Sequence, residues 1–369
     1  MNRMDLTRRF RLRLRQIGAH LDLPLLFIVG ALMAIGLVTV YSATASEGLV
    51  KFDSQLLNMA VAVAVMLCIA QMPPQTLMRC AVPLYVLGIV LLLGVALFGV
   101  SVNGSRRWLS LGIARIQPSE LMKIAMPLML AWFFHKYESE LRARHFLIAL
   151  ALLLIPCLLI LKQPDLGTTL LVGASGFFVI FFAGLSWKVM LGLAVAGTAA
   201  LPFAWQFVLH DYQRRRVLTL LDPSSDPLGA GYHIIQSTIA IGSGGSFGKG
   251  WLKGTQTHLD FIPEKHTDFI FAVFSEEWGI AGNALLILLF VLLVLRGLVI
   301  AANAATLFSR LLAGAISLVF FIYAFVNMGM VSGILPVVGV PLPFISYGGT
   351  ALLALMVGIG ILMSIRTHR

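Results

Sequence analysis

Runs of mostly apolar residues recur along the chain, each near the roughly 20 residues a helix needs to cross a bilayer. They fall at 23–41, 56–70, 83–100, 121–134, 146–161, 167–185, 189–209, 269–296, 307–331 and 345–364. The second, fourth and fifth are short as cut, so they are expected to extend into flanking residues or to lie partly inside a bundle. None shows the two-residue alternation of a transmembrane barrel. The pattern therefore predicts an all-helical polytopic membrane protein of about ten spans. It reads as one domain over 1–369, with a basic arm at 1–22 and one long loop at 210–268.

Composition agrees: 59% of residues are hydrophobic and 12% charged, against about 25% charged in soluble domains. That excludes a soluble enzyme, a coiled coil and a disordered chain. The net charge of +11, from 27 Lys+Arg against 16 Asp+Glu, would suggest nucleic acid in a soluble protein. Here the placement of the bases decides otherwise. With the N-terminus in the cytoplasm, the cytoplasmic side receives Arg3, Arg8, Arg9, Arg11, Arg13, Arg15, Arg79, Lys136, Arg142, Arg144, Lys188, Arg296, Arg310, Arg366 and Arg369. Short outer loops and span ends hold only Lys51, Arg106, Arg107, Arg115, Lys123 and Lys162. The remaining six lie in the long outer loop, where the bias counts less. Both termini are expected inside, with the basic arm beside anionic membrane lipids and no nucleic-acid partner. Ala43-Thr44-Ala45 after the first run imitates a signal-peptide cleavage site, yet that run exceeds the usual 7–15-residue apolar region, so an uncleaved span is expected. Cys68, Cys80 and Cys157 form no disulfide or metal-binding pattern.

The long loop is too rich in Ile, Leu, Trp and Tyr for disorder. Ile234, Ile235, Ile239 and Ile241 suit a short amphipathic helix in the membrane interface. The glycine-rich stretch 242–250 fails as a phosphate loop, because Ser243 stands where Gly is needed and Gly250 follows Lys249. It reads as a flexible, backbone-exposing turn whose amides can still meet a phosphate. Asp222-Pro223 and Asp226-Pro227 read as turns, and Asp211 and Asp260 as solvated. Asp268 is different: it follows His266-Thr267 and precedes an apolar run, so it enters the membrane partly desolvated. Desolvation raises a carboxyl toward a useful general base; the competing reading is a helix N-cap.

Two further clusters carry chemistry. Gly104-Ser105-Arg106-Arg107-Trp108 leads to Gln117-Pro118-Ser119-Glu120-Leu121-Met122-Lys123, where Glu120 and Lys123 share one helix face. Ionisable residues inside spans usually face an interior site. The pair reads either as a packing ion pair or as a lysine offered to an anionic head group with Arg106 and Arg107. Asp165, in Gln163-Pro164-Asp165-Leu166-Gly167-Thr168, reads as an outer-face cap or a polar site residue.

At these residues the sequence resembles the SEDS family (shape, elongation, division and sporulation proteins). The matching stretches are 104–108, 117–123, 163–168, 222–232, 263–273 and 327–350. Pro336-Val337-Val338-Gly339 is similar to the elongation branch of the family rather than its division branch. The resemblance implies a ten-span peptidoglycan glycosyltransferase of the Gram-negative inner membrane, active at its outer face. Its substrate would be lipid II, a disaccharide-pentapeptide on undecaprenyl pyrophosphate, and its partner a class B penicillin-binding protein. The family's essential aspartate matches Asp268, its tryptophan Trp108, and its Glu and Lys of the fourth span Glu120 and Lys123. Asp268, Glu120 and Lys123 are then the expected catalytic group, and Arg106, Arg107, Trp108, Asp165, Lys265 and His266 the expected substrate-binding set. No organic cofactor is implied. A divalent cation such as Mg2+ can share the pyrophosphate charge, although no DxD motif marks a metal site. The rival readings are a lipid II flippase and a non-catalytic scaffold for the transpeptidase.

Overall fold

The structure, a computed structural model, describes residues 21–45, 48, 50–102, 105–110, 115–208, 211–226, 229–259, 261–262 and 264–368. The basic arm up to residue 20 and Asp260 lie outside the described residues.

Among the described residues, ten apolar helices run back and forth: α1 (Leu23–Thr44), α2 (Val50–Ala70), α3 (Pro74–Phe98), α4 (Pro118–Lys136), α5 (Ala143–Leu161), α6 (Leu166–Phe182), α7 (Trp187–Phe203), then α11 (Ile270–Ala302), α12 (Leu307–Val331) and α13 (Gly349–Thr367). Three short helices, α8 (Asp211–Leu221), α9 (Ala230–Ser243) and α10 (Thr255–His258), lie in the long loop between α7 and α11. Seven of the ten are long and apolar enough to cross a membrane; α6 and α7 are shorter, and α4 carries Glu120 and Lys123. The short runs do extend, α2 to Val50, α4 to Pro118 and α5 to Ala143. Alternating direction puts the segments at 99–117, 162–165, 204–269 and 332–348 at one end of the bundle, the loop-bearing end.

Apolar side chains point both ways, as a bilayer solvent permits. Phe27, Leu57, Val90, Leu158 and Leu288 face outward, while Phe134, Phe308, Phe320 and Tyr323 fill the centre. Helices α4, α12 and α13 are the most buried; no side chain of α7 is buried. At the end away from the long loop, Asp22 caps α1 through the Leu25 amide (3.0 Å) and takes a bidentate pair from Arg296 at 3.0 and 2.5 Å.

Two features depart from the sequence reading. First, β1 (Val100–Val102), β2 (Ser105–Ser110) and β3 (Arg115–Ile116) form a three-stranded antiparallel sheet at the loop-bearing end, so among the described residues the regular structure is helical apart from this sheet. Val100 pairs with Trp108 and Ser101 with Arg106. Second, the glycine-rich stretch is docked rather than free. Its Lys249 and Gly250 amides donate to the Glu276 and Glu277 carbonyls (both 3.0 Å), and its Gly245 and Ser246 carbonyls accept from Ile280 and Ala281 (2.9 and 3.0 Å). Those two amides are therefore spent on α11 and are not offered to a phosphate. Docking is possible because α11 breaks at Gly279, whose φ of 63° and ψ of −159° leave the helical region and free the local backbone groups. Only glycine takes this conformation cheaply, and a Cβ there would meet the Gly248 nitrogen at 2.4 Å.

Candidate active site

A cavity of about 320 Å³ opens at the loop-bearing end. Its walls come from four regions far apart in sequence: the stretch from β2 to the first turns of α4, the start of α6, the loop before α11, and the segment 339–348 with the start of α13. Arg107, Trp108, Glu120, Lys123, Asp165 and Asp268 all line it. Three clusters singled out separately along the chain thus share one space.

On one wall, Pro118 opens α4 with its missing amide in a position that needs none, and this brings Glu120 and Lys123 one turn into the bundle. The Lys123 ammonium lies 2.6 Å from Glu120 Oε1 and 5.4 Å from the centroid of the Tyr323 ring on α12. Lys123 is buried, and the other Glu120 oxygen, Oε2, is buried without a hydrogen-bond partner. The pair packs against an aromatic face and leaves one buried acceptor unused.

Asp165 is both a helix cap and a cavity-lining residue. It caps α6 by accepting from the Thr168 amide (3.1 Å) and hydroxyl (2.9 Å), and it also lines the cavity. There it accepts from Gln117 Nε2 at 3.3 Å and faces Arg107 Nε at 3.7 Å. Arg107 also donates to the Pro164 carbonyl at 2.7 Å, so the hairpin is tied to the start of α6. Trp108 completes this rim. The backbone of Arg106 belongs to β2; its side chain lies outside the described residues.

Opposite stands Asp268. The N-cap of α11 is Phe269, with no side-chain capping bond, so Asp268 is not the cap that the sequence left open. Its half-buried carboxyl is pushed up to about 6, by burial first and by the neighbouring Glu264, while Arg216 pulls the other way. A carboxylate near that value is suited to accept a proton at neutral pH.

The loop carrying Asp268 is held by its carbonyls. His266 O accepts from the Tyr347 amide (2.8 Å), Thr267 O from Ser346 Oγ (2.7 Å), and Asp268 O from Asn327 Nδ2 (2.9 Å). Gln55 on α2 braces the same segment through Ser346 O and the Gly348 amide. Lys265 and His266 are placed differently from expectation, since neither lines the cavity. Lys265 is buried, its ammonium on the Thr257 carbonyl (3.3 Å), and the His266 ring packs edge-on against Tyr347. The loop turns both side chains inward to fix itself.

Sequence reasoning overlooked Asn327, Ser346, Gln55 and the adjacent Glu276 and Glu277. The glutamates had a visible signal, two consecutive carboxylates inside an apolar run. Both are buried: Glu276 accepts from Lys249 Nζ (2.7 Å), the Gln256 and Thr257 amides and two threonine hydroxyls, and Glu277 from Ser42 Oγ and the Leu252 amide. Asn, Ser and Gln at span ends are common enough to carry no signal alone. Among the described residues no group of three or more His, Cys, Asp or Glu side chains could hold a metal ion.

A polytopic bundle with a charged cavity at one end defines a membrane-embedded protein with a polar site at the loop-bearing end. The profile of the cell cycle protein family of FtsW, RodA and SpoVE matches residues 23–369, and the chain belongs to that family. The peptidoglycan glycosyltransferase MrdB of Escherichia coli K12 is 53% identical over 95% of this chain and 94% of its own. The stage V sporulation protein E of Bacillus subtilis is 37% identical over 94% and 97%. Among solved structures, a chain of a peptidoglycan synthase complex that coordinates polymerization and crosslinking matches with a TM-score of 0.81 and 35% identity, covering 94% of this chain and 97% of that one. Thermus thermophilus RodA matches with a TM-score of 0.70 and 30% identity, over 94% and 96%.

Proposed function

We propose that the protein is a peptidoglycan glycosyltransferase of the elongation type, which polymerises lipid II at the outer face of the bacterial inner membrane. In this reading the loop-bearing end faces outward and both termini are cytoplasmic. The convergence of Asp268, Lys123–Glu120 and Arg107 on one cavity is the observation that carries it.

The chemistry follows from the charges. The acceptor sugar's 4-hydroxyl gives its proton to Asp268 as its oxygen bonds to the anomeric carbon of the donor. The bond from that carbon to the pyrophosphate oxygen breaks, and its electron pair leaves with undecaprenyl pyrophosphate. One displacement from an α-linked donor gives a β-linkage, with no sugar bonded to the enzyme. Lys123 and Arg107 meet the charge growing on the pyrophosphate, where fixed cations act most strongly; Glu120 orients Lys123, and Trp108 lines the sugar or lipid path. Mg2+ titration of the assay reads whether a divalent cation shares that work. The partner is a transpeptidase of the class B penicillin-binding type, in keeping with the synthase complex that the fold resembles.

The cavity floor speaks against a flippase. Lys123 and Leu355 line both the cavity and a neighbouring void of about 30 Å³, whose other walls are chiefly apolar residues such as Ile316, Val319 and Phe320. A charged pyrophosphate crossing there would meet an apolar barrier.

The test is lipid II polymerisation by the purified protein with its transpeptidase partner blocked by penicillin, wild type beside Asp268→Ala, both checked by thermal melt. Strands from wild type alone are expected. Strands from both would remove Asp268 as the base, and strands from neither in an intact complex would favour the flippase.

A further inference from the structure

The carboxylate proposed as the base makes no capping bond, so something else must set where it points. Asn327 is fully buried near the end of α12 and uses its amide nitrogen twice. One hydrogen goes to the Asp268 carbonyl at 2.9 Å and the other to the Val340 carbonyl at 2.7 Å. Both neighbours are acceptors, so the orientation of the amide is fixed. Its oxygen is buried without a partner, an expense in stability that offsets part of the two bonds. What remains is geometry: one side chain ties the loop before α11 to the segment after Leu335.

The second tie matters because of what precedes Val340. Gly339 has φ of 71°, and a Cβ there would lie 3.3 Å from Asp268 Oδ2. The same amide therefore sets the height of the Asp268 backbone and the nearness of the wall its carboxylate faces. Tyr347 and Ser346 hold the two preceding carbonyls, and Asn327 holds that of Asp268 itself.

We propose that Asn327 is the positioning residue for Asp268, clamping its carbonyl and that of Val340 so that the carboxylate is shielded and aimed into the cavity. This rests on the role proposed for Asp268. A misplacement near 1 Å at a reacting group costs about 10²-fold in rate.

The charged groups around Asp268 are Glu264 on its own loop, Arg216 on α8 and, among the cavity residues, Glu120, Lys123, Arg107 and Asp165. An Asn327→Leu variant leaves all of them in place, so a change in Asp268 reports its own displacement. Two readouts apply to the full-length protein in its complex. In lipid II polymerisation, kcat falls about 10²-fold with KM for lipid II within about threefold. Independently of turnover, modification of Asp268 by dicyclohexylcarbodiimide, which takes the protonated carboxyl, is followed by mass spectrometry against pH. Its midpoint moves from near 6 toward the ordinary carboxylate range as the variant lets water in. Asn327→Ser, which loses the reach without adding apolar bulk, replaces it if the leucine variant does not fold. A folded variant with an unmoved midpoint overturns the proposal, as does one with unchanged kcat. Absence of strands from wild type would count against the transferase reading alone, and the carbodiimide midpoint would still decide this one.

Discussion

Lys249 and Glu276 meet at 2.7 Å beside the break in α11, joining the glycine-rich segment to the helix that follows the loop. Glu276 is fully buried and accepts five hydrogen bonds from residues 249–257. Thr257, two of those donors, also receives Lys265 on its carbonyl, so the carboxylate supports the loop leading to Asp268 at one remove. Glu276→Ala strands all of these groups. Breaking a buried pair costs about 3–5 kcal/mol, and the partial exposure of Lys249 puts the expected loss near 3 kcal/mol. Lower thermal stability of the folded complex, with proteolysis appearing first between 244 and 268, is the expected result. An unchanged melting temperature would show that the pair contributes nothing.

The raised Asp268 carboxyl has consequences of two kinds. As a base it works only ionised, so kcat/KM should rise with pH through about 6 and level off above, with Asp268→Asn inactive throughout. For stability the direction reverses. The folded state holds this proton more tightly than the unfolded chain, whose carboxyl titrates near 3.9, so folding loses stability as pH rises from there through about 6. Asp268→Asn should therefore melt higher than wild type at pH 8 and alike at pH 3.5. Equal melting at both pH values would remove the burial argument.

Gly339 is open to a simple test. Its φ of 71° and the 3.3 Å between Asp268 Oδ2 and the place a methyl group would take mean that Gly339→Ala brings both backbone strain and crowding of the carboxylate. Strain of this kind costs about 1–3 kcal/mol. Activity should fall further than that stability loss accounts for, measured as strands formed per folded protein; a variant matching wild type would detach the 335–346 segment from the chemistry.

Much of this was legible in sequence, for reasons that can be named. Span number followed from apolar run length, because in a bilayer backbone groups must be satisfied inside each helix. The cavity's charged residues stood out because Glu120, Lys123 and Asp268 sit where hydrocarbon makes charge costly. Three things were hidden. The 100–116 hairpin is too short for alternation to register against the neighbouring apolar runs. The docking of residues 244–250 depends on a break at Gly279 that only the paired segment explains. Lys265 and His266 sit beside Asp268 in sequence, but adjacency does not fix direction: the loop turns them away from the cavity, and the carbonyls of 266–268 are gripped by residues from 327–347, a pairing across about 60–80 positions.

At the opposite end, Asp22 supplies a contrasting titration. Burial alone would raise its carboxyl, yet Arg296, the Leu25 amide and Arg366 together hold it below the usual range. Here the folded state favours the ionised form, so the stabilisation is present above the unfolded value near 3.9 and is lost as pH falls through the folded one. Asp22→Asn should destabilise the fold at pH 7, read as a lower melting temperature, by less than the about 3–5 kcal/mol of a fully buried pair because Arg296 keeps some solvent contact. The difference from wild type should shrink as pH drops below about 4. Since the pair ties α1 to α11 and α13 far from the cavity, kcat of the folded variant should stay unchanged; a fall in kcat without a fall in stability would show that this clasp and the cavity are coupled through α11.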